Sequence, residues 1–318
     1  MGSGLMNDVL ERLRPKAFAI AYRMLGSVSD AEDVVQQALI KLHQALEHDD
    51  VRSPEAFLAT IVTRLCIDEL RSARVQRETY IGEWLPEPLV EGVEDDAPAR
   101  IELAESVRTA FLVLLETLSP VQRAVFLLRD VFDYEYADIA RIIGRTESNA
   151  RQIAVRARAH VMAKRPRFDA TPEQQDALVE RFFAAIEAGD VALLEAMLAE
   201  DVSLHGDGGG NVPALARAVS GRSAVARTLV NWQRAGARAG GYTVERTTVN
   251  QQPGALIRSP TGAVMSVWTI DVADGRVSAV RAVVNPEKLQ HIAGAGDFGR
   301  WLARSRSATQ ERDRQAPS

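Results

Sequence analysis

The 318-residue sequence contains a single cysteine, Cys66. One thiol can neither staple a fold nor assemble a zinc site, so the chain must be held by its own apolar packing. Cys66 itself reads as a small buried apolar residue in a helical stretch, kept reduced in a cytoplasmic setting. No run of about eighteen apolar residues occurs, and the N-terminus has no signal-like apolar stretch, so no membrane partner is expected. Internal repeats are missing, as are a Ser/His/Asp order, a cluster with metal-ligand spacing and a phosphate-cradling loop. The expectation is therefore a chain with no metal, no cofactor and no enzymatic activity.

What is present is a multidomain composition. Apolar residues make up 46% and charged residues 25%, the balance of globular domains, and the length calls for two or three of them. The formal net charge of −5 argues at first against a nucleic-acid partner. Its distribution reverses that: residues 145–167 carry seven Lys/Arg and one acid, Glu147. A local basic stripe binds phosphate even on an acidic molecule.

Residues 7–80 read as helices. Ser29 and Glu32 have capping-box spacing, and Ser53-Pro54 sets an N-cap before a first-turn proline. Residues 81–100 read as an acidic, proline-containing linker, because prolines and like charges extend a chain and oppose packing. Its centre, Trp84-Leu85-Pro86-Glu87-Pro88, is too apolar for a simple tether and reads as either a docking segment or local packing. Helices resume over 101–167, with a capping box at Ser119-Pro120-Val121-Gln122 and a helix stop at Gly144. Residues 171–295 change period: helices ending near Gly189, Leu198 and Trp232 are followed by strands over 242–249, 255–258, 263–272 and 277–284. Turns are expected at Pro253-Gly254, Pro260-Thr261-Gly262 and Asp274-Gly275. That pattern predicts an α+β domain with a curved antiparallel sheet. The polar, Arg-rich residues 296–318 read as a disordered tail.

The strongest motif is a helix-turn-helix over 134–162, two helices broken at Gly144 with the second one basic. Ala150, Ile153, Ala154, Ala157 and Val161 share an inward face. Asn149, Arg151 and Gln152, near the helix start, are placed to reach base edges, and Arg156, Arg158 and Lys164 to hold phosphates. The competing reading is an ordinary solvated basic helix in a bundle.

These residues resemble a known family. Asp30-Ala31-Glu32-Asp33-Val34-Val35-Gln36 resembles the polymerase-binding helix of extracytoplasmic-function (ECF) sigma factors, and Phe57–Ile61 through Cys66–Arg71 is similar to their promoter-melting helix. Ser119–Phe126 and Ala150–Arg158 are similar to the family's second DNA-binding domain. The resemblance implies two all-α sigma domains, core RNA polymerase and promoter DNA as partners, and a polymerase-binding face of Asp30, Glu32, Asp33 and Gln36. It also implies promoter contacts by Arg52, Arg64, Arg71 and Arg74. Acids complementing a helix dipole would account for Asp30 and Glu32 equally well, and Asp68 with Arg71 reads also as a weak i,i+3 ion pair. Arg64 departs from the family, which often has Asn there.

The linker Trp84–Pro88, the loop Asp207-Gly208-Gly209-Gly210 and the stretch Asn285-Pro286-Glu287-Lys288-Leu289 together resemble the ECF subgroup with a fused SnoaL-like (NTF2-like) cone. The resemblance implies that this domain regulates the sigma core through those three stretches. Asn211 stands where the subgroup has a basic residue. Two other readings stay open: a DNA-binding regulator acting on palindromic sites without polymerase, and a cone that keeps an enzymatic activity or takes a small-molecule ligand. For the last, His205, Asp207 and Asp271 near Trp232 and Trp268 are the candidate polar groups.

Overall fold

The computed structural model describes residues 3–48, 51–77, 80–92, 107–164, 171–210, 212–292, 294–296 and 298–301. The chain divides into two compact units, residues 1–79 with 95–165, and residues 80–94 with 166–318.

In the first unit, α1 (Ser3–Leu25), α2 (Val28–Glu47) and α3 (Pro54–Arg77) form a bundle around Tyr22, Leu42, Val62 and Cys66. Helix α2 starts earlier than its sequence signal: Ser27, not Ser29, is the N-cap and accepts from the Asp30 N–H at 3.1 Å. Gly26, in the left-handed region, ends α1 and leaves Ser27 at the cap position, which puts Ser29 inside the helix. Next come α4 (Thr109–Leu115) and α5 (Pro120–Phe126), then a π-helical turn over Leu127–Val131, α6 (Tyr136–Ile143) and α7 (Glu147–Lys164). The Ser119 capping box is fully formed, and Gly144 closes α6 at φ 65°. Ala150 and Ala154 of α7 pack with Val125, Leu128 and Ile139, and Ala157 and Val161 on the same face are buried too. Small residues at this spacing let α7 lie close on its neighbours while its other side stays in water.

The second unit packs α8 (Pro172–Ala188), α9 (Val191–Met197) and α10 (Arg222–Arg238) against one sheet. Its strands are β1 (Leu198–Asp207), β2 (Val219–Ser220), β3 (Thr243–Val249), β4 (Gln252–Arg258), β5 (Val264–Ala273) and β6 (Arg276–Val283), in the order β2-β1-β6-β5-β4-β3. The sheet is mixed, because β1 pairs in parallel with β6. The sequence points to a strand before the Asp207 loop but not to its bounds: Glu200 and Asp201 interrupt the apolar run, and the helix signal of Leu193–Leu198 runs straight into it.

The β3–β4 turn also differs from expectation. It lies at Asn250-Gln251, both at positive φ, while Pro253 and Gly254 sit within β4 opposite Thr248 and Thr247. Gly254 is there for close backbone approach: a Cβ would fall inside van der Waals contact of the Trp268 carbonyl and the Val249 side chain. Asp274-Gly275, at φ 50° and 67°, makes the two-residue turn its sequence signals. Because two strands would have to separate to admit a methyl group, Gly254→Ala should destabilise the C-terminal unit by about 1–3 kcal/mol. Urea unfolding followed by tryptophan fluorescence checks this.

Candidate functional site: a basic helix and a buried linker clasp

Asn149, Arg151, Gln152, Arg156, Arg158 and Lys164 are all exposed on α7. Thr146 caps the helix by accepting from the Asn149 N–H at 3.3 Å, which turns Asn149, Arg151 and Gln152 outward at the N-terminal end. Arg151 pairs with Glu147 at 2.5 Å and stacks over the Tyr136 ring at 4.5 Å. Arg158 meets Asp130 at 2.6 Å, and this partner raises its pKa. Both are exposed pairs of small value that a phosphate can displace.

On α2, Asp30, Glu32, Asp33 and Gln36 are exposed. Asp33, Gln36 and Gln37 run into Ile40, which is 52% exposed, so an acidic and amide stripe ends in an uncovered apolar side chain. Arg52 is exposed, and Arg71 is exposed beside Asp68 at 3.3 Å. The Arg74 side chain and Asn211 lie outside the described residues.

Arg64 has a different setting. Its Nε donates to the Ile142 carbonyl and its Nη2 to the Arg141 carbonyl, both at 2.9 Å, at the C-terminal turn of α6. Arg123 of α5 does the reciprocal thing. Almost fully buried, it donates to the Met24 carbonyl at the end of α1 at 2.5 Å and to Glu116 at 2.7 Å. Burial pulls the Arg123 pKa down to about 10. Each helical half thus places an arginine on the negative end of a helix in the other. Lys16 over Tyr134 and Arg23 over Phe132 add cation–π contacts at 5.1 Å and 5.4 Å.

The three stretches that the sequence singled out in the linker and the C-terminal half converge on one carboxylate. Asp207, fully buried at the end of β1, accepts through Oδ1 from the Tyr80 hydroxyl (2.5 Å) and the Gly209 N–H (3.1 Å). Its Oδ2 accepts from the Leu85 N–H (2.7 Å) and from Lys288 Nζ (2.6 Å). Lys288 also donates to the Leu85 carbonyl at 2.5 Å and lies over the Trp84 ring at 4.2 Å. Asn285 Nδ2 donates to the Tyr80 oxygen at 3.2 Å, while its Oδ1 accepts from the Glu287 N–H and so starts the short 3-10 turn Pro286–Leu289. Burial, and then the bond to Asp207, pushes the Tyr80 pKa up, which keeps the phenol neutral and donating. The glycine loop is shaped by this approach: a side chain on Gly209 would strike Asn285, and one on Gly210 would strike Ile81.

The centre of the acidic linker therefore packs, while residues 93–100 lie outside the described residues. Residues 85–90 are buried, and Leu89 and Asn250 exchange bonds: the Leu89 N–H donates to Asn250 Oδ1 at 3.1 Å, and the Asn250 N–H to the Leu89 carbonyl at 2.8 Å. Val90 bridges Val249 on β3. Prolines 86 and 88 lack the N–H that such a strand would have to satisfy, and His291 donates to the Pro88 carbonyl at 2.8 Å. Sequence reasoning missed Tyr80, Asn250 and His291. Only Asn250 carried a signal, an Asn at a hairpin turn. The candidate catalytic groups are not assembled either: Asp271 pairs with Arg281, and His205 bonds Glu83 at 3.0 Å and Ser203 at 2.9 Å.

Asp207→Ala would leave the Lys288 ammonium buried without its carboxylate, at a cost of about 3–5 kcal/mol. A protease that cuts after Glu should then cleave at Glu83, Glu87 or Glu91 much faster than in the native chain. Unchanged fragment kinetics would mean the carboxylate does not hold the linker.

Family models match in the same order as these features: Sigma-70 region 2 over residues 9–75, Sigma-70 region 4 over 108–161 and a SnoaL-like domain over 179–285. The ECF RNA polymerase sigma factor SigJ of Mycobacterium tuberculosis is 38% identical over 287 residues, covering 87% of this chain and 91% of SigJ. SigG of the same species is 32% identical over 305 residues, covering 86% and 80%. The crystal structure of SigJ superposes with a TM-score of 0.74 at 34% identity, covering 90% of this chain and 99% of that one. The chain is thus a member of the ECF RNA polymerase sigma factors, one in which two helical sigma domains are followed by a SnoaL-like domain.

Proposed function

We propose that the chain carries core RNA polymerase to a promoter class, with residues 7–80 and 101–167 as its working domains, and that residues 171–295 restrain it by holding the linker. Family membership and the exposed basic face of α7 support the first part; the Asp207 clasp carries the second. Helix α2 offers polymerase the stripe Asp30, Glu32, Asp33, Gln36 and Ile40, and the protein would act in the cytoplasm, where polymerase is. Among the described residues no helix is long and apolar enough to cross a membrane.

Promoter contact by Arg64 requires the two helical halves to separate, since α6 carbonyls occupy its guanidinium. Polymerase would drive that separation by binding the open form better. Regulation by the C-terminal domain would act through the tether. Residues 80–92 are bonded to the C-terminal domain, and releasing them would let that segment extend. The C-terminal domain acts here without catalysis, a reading supported by the separate engagement of His205, Asp207 and Asp271.

Reconstitution with core polymerase should give promoter-dependent transcripts, and full-length Asp207→Ala should raise output by at least about fivefold, the lower range of an allosteric coupling. A chain that fails to bind core polymerase overturns the first part; equal output from the variant overturns the second. On the DNA side, changes at Asn149, Arg151 or Gln152 should alter sequence preference. Arg158→Ala or Lys164→Ala should instead weaken binding to all sequences and flatten the salt slope by roughly one unit. Binding titrations on selected and scrambled duplexes separate the two sets.

A further inference from the structure

The C-terminal unit holds a partly open cavity of about 240 Å³ lined by α8, α10 and the sheet. Trp232, Trp268, Phe183, Tyr242, Ile257 and Leu229 form its main walls, with the Trp232 and Trp268 rings edge to face at 5.7 Å. Phe298 and Trp301 also line it, on a helical turn over 298–301 in the stretch whose composition predicted a disordered tail. Among the described residues no Asp, Glu, His, Lys or Arg lines it. Its polar atoms are few. Ser266 Oγ donates to the Val283 carbonyl and accepts from Trp268 Nε1, each at 3.0 Å, and Gln233 is turned to the Glu187 carbonyl. Trp301 Nε1 is buried with no hydrogen-bond partner among the described residues.

A space larger than the ~150 Å³ apolar cavity that admits benzene, yet without a charge or a free base, suits binding and not proton transfer. We propose that this cavity binds an uncharged, mainly apolar molecule of two linked or fused rings, its one acceptor atom taking the Trp301 N–H. Charged ligands are disfavoured because none of the described wall residues would compensate their desolvation. Gly236 keeps the site open at the α10 wall: a Cβ there would collide with the Tyr242 ring.

The cavity and the clasp share strand ends. Gly206 and Val284 line the cavity, and the next residue in each case, Asp207 and Asn285, belongs to the clasp. Occupancy is therefore coupled to the hold on residues 80–92; this part rests on the clasp reading above.

The test titrates the full-length chain with N-phenyl-1-naphthylamine, an uncharged fluorophore, and with 8-anilinonaphthalene-1-sulfonate, which adds an anion to the same skeleton. Expected are saturable one-to-one binding of the neutral probe with quenching of tryptophan emission, and binding of the sulfonate roughly tenfold weaker or worse. Ala235→Phe, which fills the cavity from α10, should abolish neutral-probe binding with an unchanged melting curve. If that variant misfolds, tryptophan quenching in the native chain, with its distance dependence, still locates the probe. Equal affinities for the two probes, or binding untouched by a folded Ala235→Phe, would overturn the proposal. Cleavage after Glu83, Glu87 and Glu91 should change in rate when the neutral probe is bound. Probe binding with no such change would overturn the coupling alone.

Discussion

A carboxylate without water must find every hydrogen bond inside the protein, and Asp207 finds four. Two are fixed by its own domain, from the Gly209 N–H and the Lys288 ammonium. The other two, from the Tyr80 hydroxyl and the Leu85 N–H, come from a segment more than a hundred residues away in sequence. Without that segment the domain would hold a half-paired buried ion pair, a costly arrangement in a low dielectric. The linker is thus a missing wall of the C-terminal domain, and its position depends on electrostatic necessity as much as on the apolar contacts of Leu85, Leu89 and Val90. Lys288 adds specificity: its three donors and its approach to the Trp84 face recognise a particular piece of chain.

The helical unit uses a related device twice. Arg64 and Arg123 each satisfy carbonyls at the end of a helix in the opposite half, groups that have no intrahelical partner. Arg123 is almost fully buried, which lowers its pKa; Arg64 is exposed and correspondingly easier to release. The two contacts thus differ in how much desolvation each arginine bears.

The basic helix was legible because its signals are local. A capping threonine, a stop at Gly144 and alanines at helical spacing specify α7 and its exposed arginines without reference to distant residues. The glycine loop was legible as a place of close approach, although not what approaches it. Less legible were the elements whose stability is tertiary. Strand β1, interrupted by Glu200 and Asp201, forms because β6 pairs with it and the core takes Leu198, Val202 and Leu204. The β3–β4 turn lies three residues before Pro253-Gly254, at Asn250-Gln251, where Asn250 also bonds the linker. Neither long-range contact is visible in a window of neighbours.

By itself the sequence determined three modules, the exposed basic face of α7 and the three stretches that meet at the clasp, since caps, periodicity and motif order are properties of short segments. Only the tertiary structure decided that residues 85–90 of the acidic linker are a buried part of the C-terminal domain, that Arg64 rests on helix carbonyls, and that the cavity walls carry no charge among the described residues. Each of those depends on which groups lose contact with water, and burial is set by residues far apart in the chain.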